Sequence, residues 1–335
     1  MAHYTMAIVG AGEMIGNELV ELIEQRETQV EEVRLLGVEG TAGTKITFRE
    51  EQLRVEKLTE QAFSGVDVAL FCAGGGVSQE FAPHAVKSGA IVVDVTGAFR
   101  RDSLVPLVIP EVNPYAARNH RGILATPTAS TILLALAIQP IYDEVGISRI
   151  VATSFHAASE EGPSGITELE TQTRHIFMQR DLLCQVYPHQ IAFNVIPHVG
   201  AFSDNGYTLA EMSLIEETKR ILQDDALRIT ATAVQMPVFY GHALSVNLET
   251  EDAITPEEIR QLLSNAPSLK VVDDPQNNLY PLPTNVAGES EVFVGRIRQD
   301  ASVEYGVNLW IAADNLRRGT ALNALQIAEF VMREA

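Results

Sequence analysis

Cysteine is scarce: 335 residues contain two, Cys72 and Cys184. Two thiols cannot frame a disulfide scaffold, and a chain this long has core enough not to need one. Positive charge is short as well. Lysine and arginine number 24 against 44 aspartates and glutamates, a formal net charge of −20. That excludes a nucleic-acid binder, whose affinity rests on cations neutralising phosphates. Long apolar runs are missing too: no stretch of about 18 apolar residues occurs, so no membrane span is expected. Met1-Ala2-His3-Tyr4-Thr5 carries no basic segment of the leader type, and the apolar run behind it breaks at Gly10, so no secretory leader is expected either. Internal repeats and low-complexity tracts are absent. What remains reads as a soluble, cytoplasmic protein. Its length suggests two domains at roughly 150 residues each, and 46% hydrophobic with 20% charged residues is an ordinary core-forming composition.

Met6-Ala7-Ile8-Val9-Gly10 is a short apolar run stopped by glycine, the pattern of a buried parallel strand. Residues 16–26 follow with Leu19, Val20, Leu22 and Ile23 at helical spacing. Residues 33–37, 67–71 and 90–94 read as further strands, with a helix over 79–88. Strands alternating with helices make βαβ units and a doubly wound parallel sheet. The pattern changes near residue 125. Residues 131–142 are apolar on most faces and read as a buried helix joining two domains, with Pro140 near its end. Strands over 149–155, 228–234, 243–248, 292–297 and 307–312, separated by long helical or irregular stretches, suit an α+β domain with a mixed sheet. The helical segment 316–332 is assigned back to the first domain. The expected organisation is therefore residues 1–127 with 315–335 as a Rossmann-like nucleotide-binding domain, and 128–314 as an α+β domain.

Gly10, Gly12 and Gly16 lie between the first strand and first helix. Glycines there let backbone approach a pyrophosphate, which the helix N-terminus attracts. The spacing is GxGxxxG, a weak signal on its own. Glu13, inside the loop, would repel that pyrophosphate. Gly74, Gly75 and Gly76, after the strand 67–71, form a second such turn on the same ligand face.

Longer motifs carry a family likeness. Ile109-Pro110-Glu111-Val112-Asn113-Pro114, the run from Pro188 to His198, Val294-Gly295-Arg296-Ile297-Arg298 and Asp314-Asn315-Leu316-Arg317-Arg318-Gly319 with Asn323-Ala324-Leu325-Gln326 together resemble the aspartate-semialdehyde dehydrogenase family. The resemblance implies a Rossmann-like domain completed by the C-terminal helix, plus an α+β dimerisation domain and a homodimer. It also implies NADPH-dependent reductive dephosphorylation of an aspartyl phosphate. That chemistry needs a thiolate to take the acyl group before hydride reduces the thioester.

The resemblance then places Ala129 where the nucleophilic cysteine stands, with Thr128 replacing the asparagine beside it. His156 falls at a substrate-positioning glutamine. Gln235 falls at the arginine that grips the substrate carboxylate, and it carries no charge. His242 keeps the acid/base position. Arg100 and Glu217 match phosphate-holding residues, and Arg220 replaces a lysine, so a small anionic ligand is expected there. Asn315 is placed among the cofactor contacts. No base stands near Ser130 in the sequence to make its hydroxyl a substitute nucleophile. This pattern is similar to the Usg-type branch of the family, which lacks the catalytic cysteine. Where the family holds the 2′-phosphate of NADP with an arginine, the chain reads Gly40-Thr41-Ala42-Gly43 after Glu39. A carboxylate at that distance from the glycine loop suits a ribose 2′-hydroxyl. NAD or NADP is thus the expected ligand class, bound weakly if at all and with NAD preferred, through Gly10, Gly12, Gly16, Glu39, Thr41, Gly74, Gly75 and Asn315.

Other features have blander readings. His156, His189, His198 and His242 fit no zinc spacing, so no metal is expected. Glu160 and Glu161 replace small family residues; they are either surface charge or a block to an anionic substrate. Trp310 reads as core. Two functions follow. One is a non-catalytic, dimeric binding or regulatory homologue, a pseudoenzyme. The other is an NAD(P)-dependent oxidoreductase on another small carbonyl or acyl substrate, with His242 as acid/base.

Overall fold

In the computed structural model, which describes residues 4–334, the chain forms two compact units: residues up to 127 with those from 320 onward, and residues 128–319. The α/β class is as expected from the sequence. Residues 315–319, expected with the first domain, belong to the second unit. The reason is local. Oδ1 of Asp314 accepts the N–H groups of Leu316 and Arg317, and Gly319 N–H donates to the Asp314 carbonyl, so the turn is tied back to the strand that precedes it.

The first unit begins with β1 (Thr5–Val9), α1 (Met14–Gln25) and β2 (Glu32–Gly37). A short antiparallel hairpin follows, β3 (Lys45–Phe48) and β4 (Glu51–Arg54). β5 (Glu56–Lys57), β6 (Val68–Phe71), α2 (Gly75–Lys87), β7 (Ile91–Asp94) and β8 (Ile123–Ala125) complete it, with the C-terminal helix Leu322–Glu334. Six parallel strands lie in the order β5-β2-β1-β6-β7-β8. Strand alternation divides β1 between two cores. Met6 and Ile8 pack with Leu19, Ile23, Leu325 and Ala328. Ala7 and Val9 pack with Phe63, Phe71, Ala82 and Ala85. Both faces are therefore covered, which is why this strand reads as unbroken apolar sequence. α2 begins at Gly75, four residues before the expected start, because its first turn is glycine-rich and gives no apolar period.

The second unit contains α3 (Ala129–Val145), β9 (Ile147–His156), α4 (Gly162–Phe177), α5 (Leu209–Leu222), β10 (Arg228–Gln235), β11 (His242–Thr250), α6 (Pro256–Ser264), β12 (Leu269–Val271), α7 (Pro283–Val286), β13 (Val292–Asp300) and β14 (Gly306–Ala313). The sheet is mixed, in the order β10-β9-β11-β14-β13-β12, with β9/β10 and β12/β13 parallel and the other pairs antiparallel. α3 is buried at every residue from Ala129 to Ile138 and packs with α5 and α6 over the sheet. It runs past Pro140 to Gly146, whose φ of +67° ends it. Ile150, Ala152 and Ser154 of β9 are buried, while Val151, Thr153 and Phe155 on the opposite face are only half-buried. Trp310 is on that face too, packed against the buried cluster of Ala243, Phe293 and Ala312 but only partly buried, so the core reading holds in part. Its ring packs on Phe155 at 5.7 Å and its N–H donates to the Pro281 carbonyl at 2.9 Å. Leu309 and Ile311, its strand neighbours, are the buried residues.

Candidate functional site

Three residues singled out in the sequence meet where β9 and β10 end and β11 begins. His156 closes β9 and Gln235 closes β10, in register across the parallel pair. His242 opens the neighbouring antiparallel β11. All three are buried, at 4, 1 and 0% exposure. His156 Nδ1 and Gln235 Nε2 have no hydrogen-bond partner. An unsatisfied buried polar atom costs roughly 1–3 kcal/mol, so two side by side at these strand ends make this the candidate ligand site.

The period of β9 puts Ser154 on the same side as His156, and Ser154 Oγ lies 2.9 Å from His156 Nε2. Ser130 Oγ, in the first turn of α3, lies 3.4 Å from the same nitrogen. The sequence offered no base near Ser130; the fold supplies one from 26 residues away. It is a poor base, because burial, and then the neighbouring His242, push the His156 imidazole down to about 3. The two imidazole rings stand 4.6 Å apart.

His242 is fixed in one tautomer. Its Nδ1 accepts the Ala157 N–H at 3.2 Å, so the ring proton sits on Nε2 and faces Glu160 Oε2 at 2.8 Å. Glu160 comes from a 3₁₀ turn, Ala158–Glu161. Asn315 backs this turn. Its Oδ1 accepts both Gly241 N–H at 3.0 Å and Ser159 Oγ–H at 3.1 Å. This residue, expected among the cofactor contacts, thus holds the turn on either side of His242. Ligand atoms of His156, Glu160 and His242 lie within 4.8 Å of one another, a donor set of a kind zinc takes. The tautomer opposes it, because Nε2 of His242 carries a proton where a metal needs a lone pair.

Ala129 is the first residue of α3. Thr128 caps the helix, its Oγ1 accepting from Thr131 N–H. Glu217 of α5 accepts from Thr128 N–H at 2.8 Å and Oγ1–H at 3.0 Å, a carboxylate favourably placed at a helix N-terminus. Arg220 follows on the same face of α5. A Cβ on Gly319 would come 2.7 Å from the Ala129 Cβ, so that glycine makes room for the first turn of α3. His189 is exposed, and His198 stacks on Phe202 at 4.4 Å; neither joins the cluster.

In the first unit the strand order reverses between β1 and β6, the position at which open α/β sheets bind ligands beyond their C-terminal strand ends. Gly10 follows β1 there with φ +110°, and a Cβ would meet Ala73 N at 2.8 Å. A Cβ on Gly16 would lie 2.2 Å from the Gly10 carbonyl oxygen, so α1 can start this close to the loop only with glycine. A Cβ on Gly12 would meet Thr41 at 3.3 Å. Gly74, with φ +92°, precedes α2, and Gly75 is the first helical residue. Glu39 is exposed, two residues beyond β2. Glu13 is half-buried just before α1, and burial holds its carboxyl above the usual range. Two further features carried no sequence signal: Asp94 Oδ2, at the end of β7, and Thr126 Oγ1, just after β8, are buried without partners. Arg100 donates Nε–H to the Thr126 carbonyl and Nη2–H to that of Val95, so part of its guanidinium is committed to backbone. Cys72 is buried, its thiol pushed far up by burial and then by Glu13 and Asp94, which removes it as a nucleophile. Cys184 is exposed.

Comparison with known proteins gives this arrangement a lineage. The family model for the semialdehyde dehydrogenase NAD binding domain matches residues 5–120, and that for the semialdehyde dehydrogenase dimerisation domain matches 138–318. The aspartate-semialdehyde dehydrogenase of Aquifex aeolicus is 44% identical over 335 residues, covering 99% of this chain and 98% of that protein. The Legionella pneumophila protein of the same name is 45% identical, covering 99% and 96%. A crystal structure of aspartate-semialdehyde dehydrogenase II from Vibrio cholerae, 39% identical, superposes with a TM-score of 0.96 over 100% of this chain and 99% of that one. With a parallel nucleotide-type unit, a mixed-sheet unit and full-length relatives at this identity, the chain belongs to the aspartate-semialdehyde dehydrogenase family.

Proposed function

We propose that this chain is a family member that binds ligands at the ends of β9, β10 and β11 without performing the thioester chemistry of reductive dephosphorylation. One observation carries the reading: the first residue of α3, where the resemblance puts the nucleophile, is Ala129, a methyl group that can hold no acyl intermediate. Loss of a covalent nucleophile lowers turnover by on the order of 10⁶, about 8 kcal/mol of barrier. Ser130 is a weak replacement, because its base is an imidazole held at about 3. His156 and Gln235 offer buried polar groups that can hydrogen-bond a small oxygen ligand but supply no guanidinium to clamp it. The oxyanion-facing or carbonyl-facing donor that remains is His242.

The first unit is read as an NAD site weakened by Glu13, with Glu39 favouring a free ribose 2′-hydroxyl over a 2′-phosphate. Arg100 and Arg220 are the candidates for a small anionic ligand. A cytoplasmic homodimer is the proposed form, with the half-open sheet face around Val151, Phe155 and Trp310 toward the second copy. No helix among the described residues is long and apolar enough to cross a membrane.

The test is a phosphorylating dehydrogenase assay with aspartate semialdehyde, phosphate and either NAD or NADP. The wild type is expected to show no turnover above background and Ala129→Cys to gain a measurable rate. An enzyme-like rate from the wild type would overturn the reading.

A further inference from the structure

The proton-bearing nitrogen of His242 points not into open space but onto a carboxylate of the same chain. Three facts define the contact. The Ala157 N–H on Nδ1 leaves Nε2–H as the donor. Glu160 Oε2 receives it at 2.8 Å. The imidazole is 1% exposed against 36% for the Glu160 side chain, so the carboxylate covers the ring from the solvent side. The turn that delivers it is anchored rather than loose. Ala158 N–H donates to the Val238 carbonyl at 2.7 Å and Ser159 N–H to that of Phe239 at 3.0 Å, and Asn315 bridges Ser159 to Gly241. A backbone held at the two residues before Glu160, with the Glu160 N–H itself donating to the Ala157 carbonyl at 3.1 Å, presents its carboxylate at little entropic cost.

We propose that Glu160 is a tethered ligand of this site: its carboxylate occupies the place on His242 Nε2–H that a small carboxylate or carbonyl compound would otherwise take, and so keeps the site closed. This rests on reading the place where β9 and β10 end and β11 begins as a ligand site, but on no assumption about turnover. The chemistry follows from the donor. A neutral imidazole N–H in a nearly dry pocket recognises an anionic or carbonyl oxygen. An intramolecular carboxylate has an effective concentration that millimolar ligands do not match. The expected occupant of an opened site is therefore a monocarboxylate no larger than the end of the glutamate side chain, and entry requires Glu160 to swing outward.

Truncation separates the tether from the pocket. Glu160→Ala and, as a second variant, Glu160→Ser remove the carboxylate from a solvent-facing side chain and leave its anchored turn. Each is labelled with ¹⁵N-histidine and titrated with sodium acetate at pH 7, with sodium chloride as the ionic-strength control. The His242 Nε2–H signal, assigned by its loss in His242→Phe, is the readout. In the wild type acetate is expected to leave that signal unmoved. In the truncated variants the signal is expected to shift on truncation and return toward its wild-type position with saturable, millimolar acetate binding at least tenfold tighter than any seen in the wild type. Equal acetate response in wild type and variants, or no saturable response in variants that retain the wild-type fold by circular dichroism, would overturn the proposal. The readout is binding, so the dehydrogenase assay of Ala129→Cys can fail or succeed independently of it.

Discussion

Glu13→Gln is expected to strengthen dinucleotide binding. The glutamate stands one residue before α1, in the loop where backbone N–H groups and the helix terminus attract a pyrophosphate. Its charge works against both. Two unit charges 4 Å apart repel by about 1 kcal/mol in bulk water and about 4 kcal/mol at an effective dielectric of 20. Glu13 is half-buried, which places it between those limits, at roughly 2 kcal/mol or about 30-fold in affinity. Glutamine keeps the size and removes the repulsion. Titration calorimetry of NAD into wild type and variant at pH 7.5 reads the difference directly.

The pH dependence gives the same prediction a second handle. Burial holds the Glu13 carboxyl above its ordinary range, so the folded protein takes up that proton more readily than the unfolded chain. The stabilisation this brings is present at low pH and disappears as pH rises through the raised value. Bound anion adds to the same preference for the neutral acid. Wild-type NAD affinity should therefore climb as pH falls through the Glu13 transition, while Glu13→Gln stays flat. Equal affinities at pH 7.5, or parallel pH slopes, would refute the assignment of Glu13 as the repulsive group.

Two further outcomes follow from burial. His156 is neutral in the fold, pushed down to about 3, whereas an unfolded histidine titrates near 6.5. Stability should thus fall as pH drops from about 6.5 toward 3, at roughly 1.4 kcal/mol per pH unit; His156→Gln should lose that slope in urea midpoints measured at pH 7, 5 and 4, and identical slopes would count against a buried neutral imidazole. Leu134 is fully buried in α3, so Leu134→Ala should cost about 2–5 kcal/mol, read from denaturant unfolding; a loss under 1 kcal/mol would mean that the second unit does not depend on this helix.

How much of this was legible in the sequence depended on whether a signal was local. β1 was readable because a parallel strand buried on both faces leaves an unbroken apolar run, and Met6 to Val9 supply one. α1 was readable from Leu19, Val20, Leu22 and Ile23. The β3–β4 hairpin was not: Ile46, Phe48 and Leu53 alternate with Lys45, Thr47, Gln52 and Arg54, but each strand is only four residues long and the pair lies outside the main sheet. The start of α2 was lost in glycines. Trp310 packs against a core cluster but is only partly buried, because strand alternation gives the fully buried face to Leu309 and Ile311.

The candidate site divides along the same line. Ala129, His156, Gln235 and His242 could be picked out one at a time, since each is a question about which residue occupies a position. Their relations could not, since these depend on where a side chain points. Ser130 and His156 are separated by the rest of α3 and the length of β9, and their contact exists because α3 lies on the face toward which the alternate residues of β9 point. Glu160 is the sharper case. In sequence it was either surface charge or a block to substrate, and composition cannot separate these. Its exposure of 36% fits the first and its 2.8 Å bond to His242 the second. The two readings do not exclude each other, because a carboxylate can stay partly in water while accepting from a buried donor. On the proposed reading, access to His242 is governed less by its own position than by the residue that the neighbouring turn lays over it.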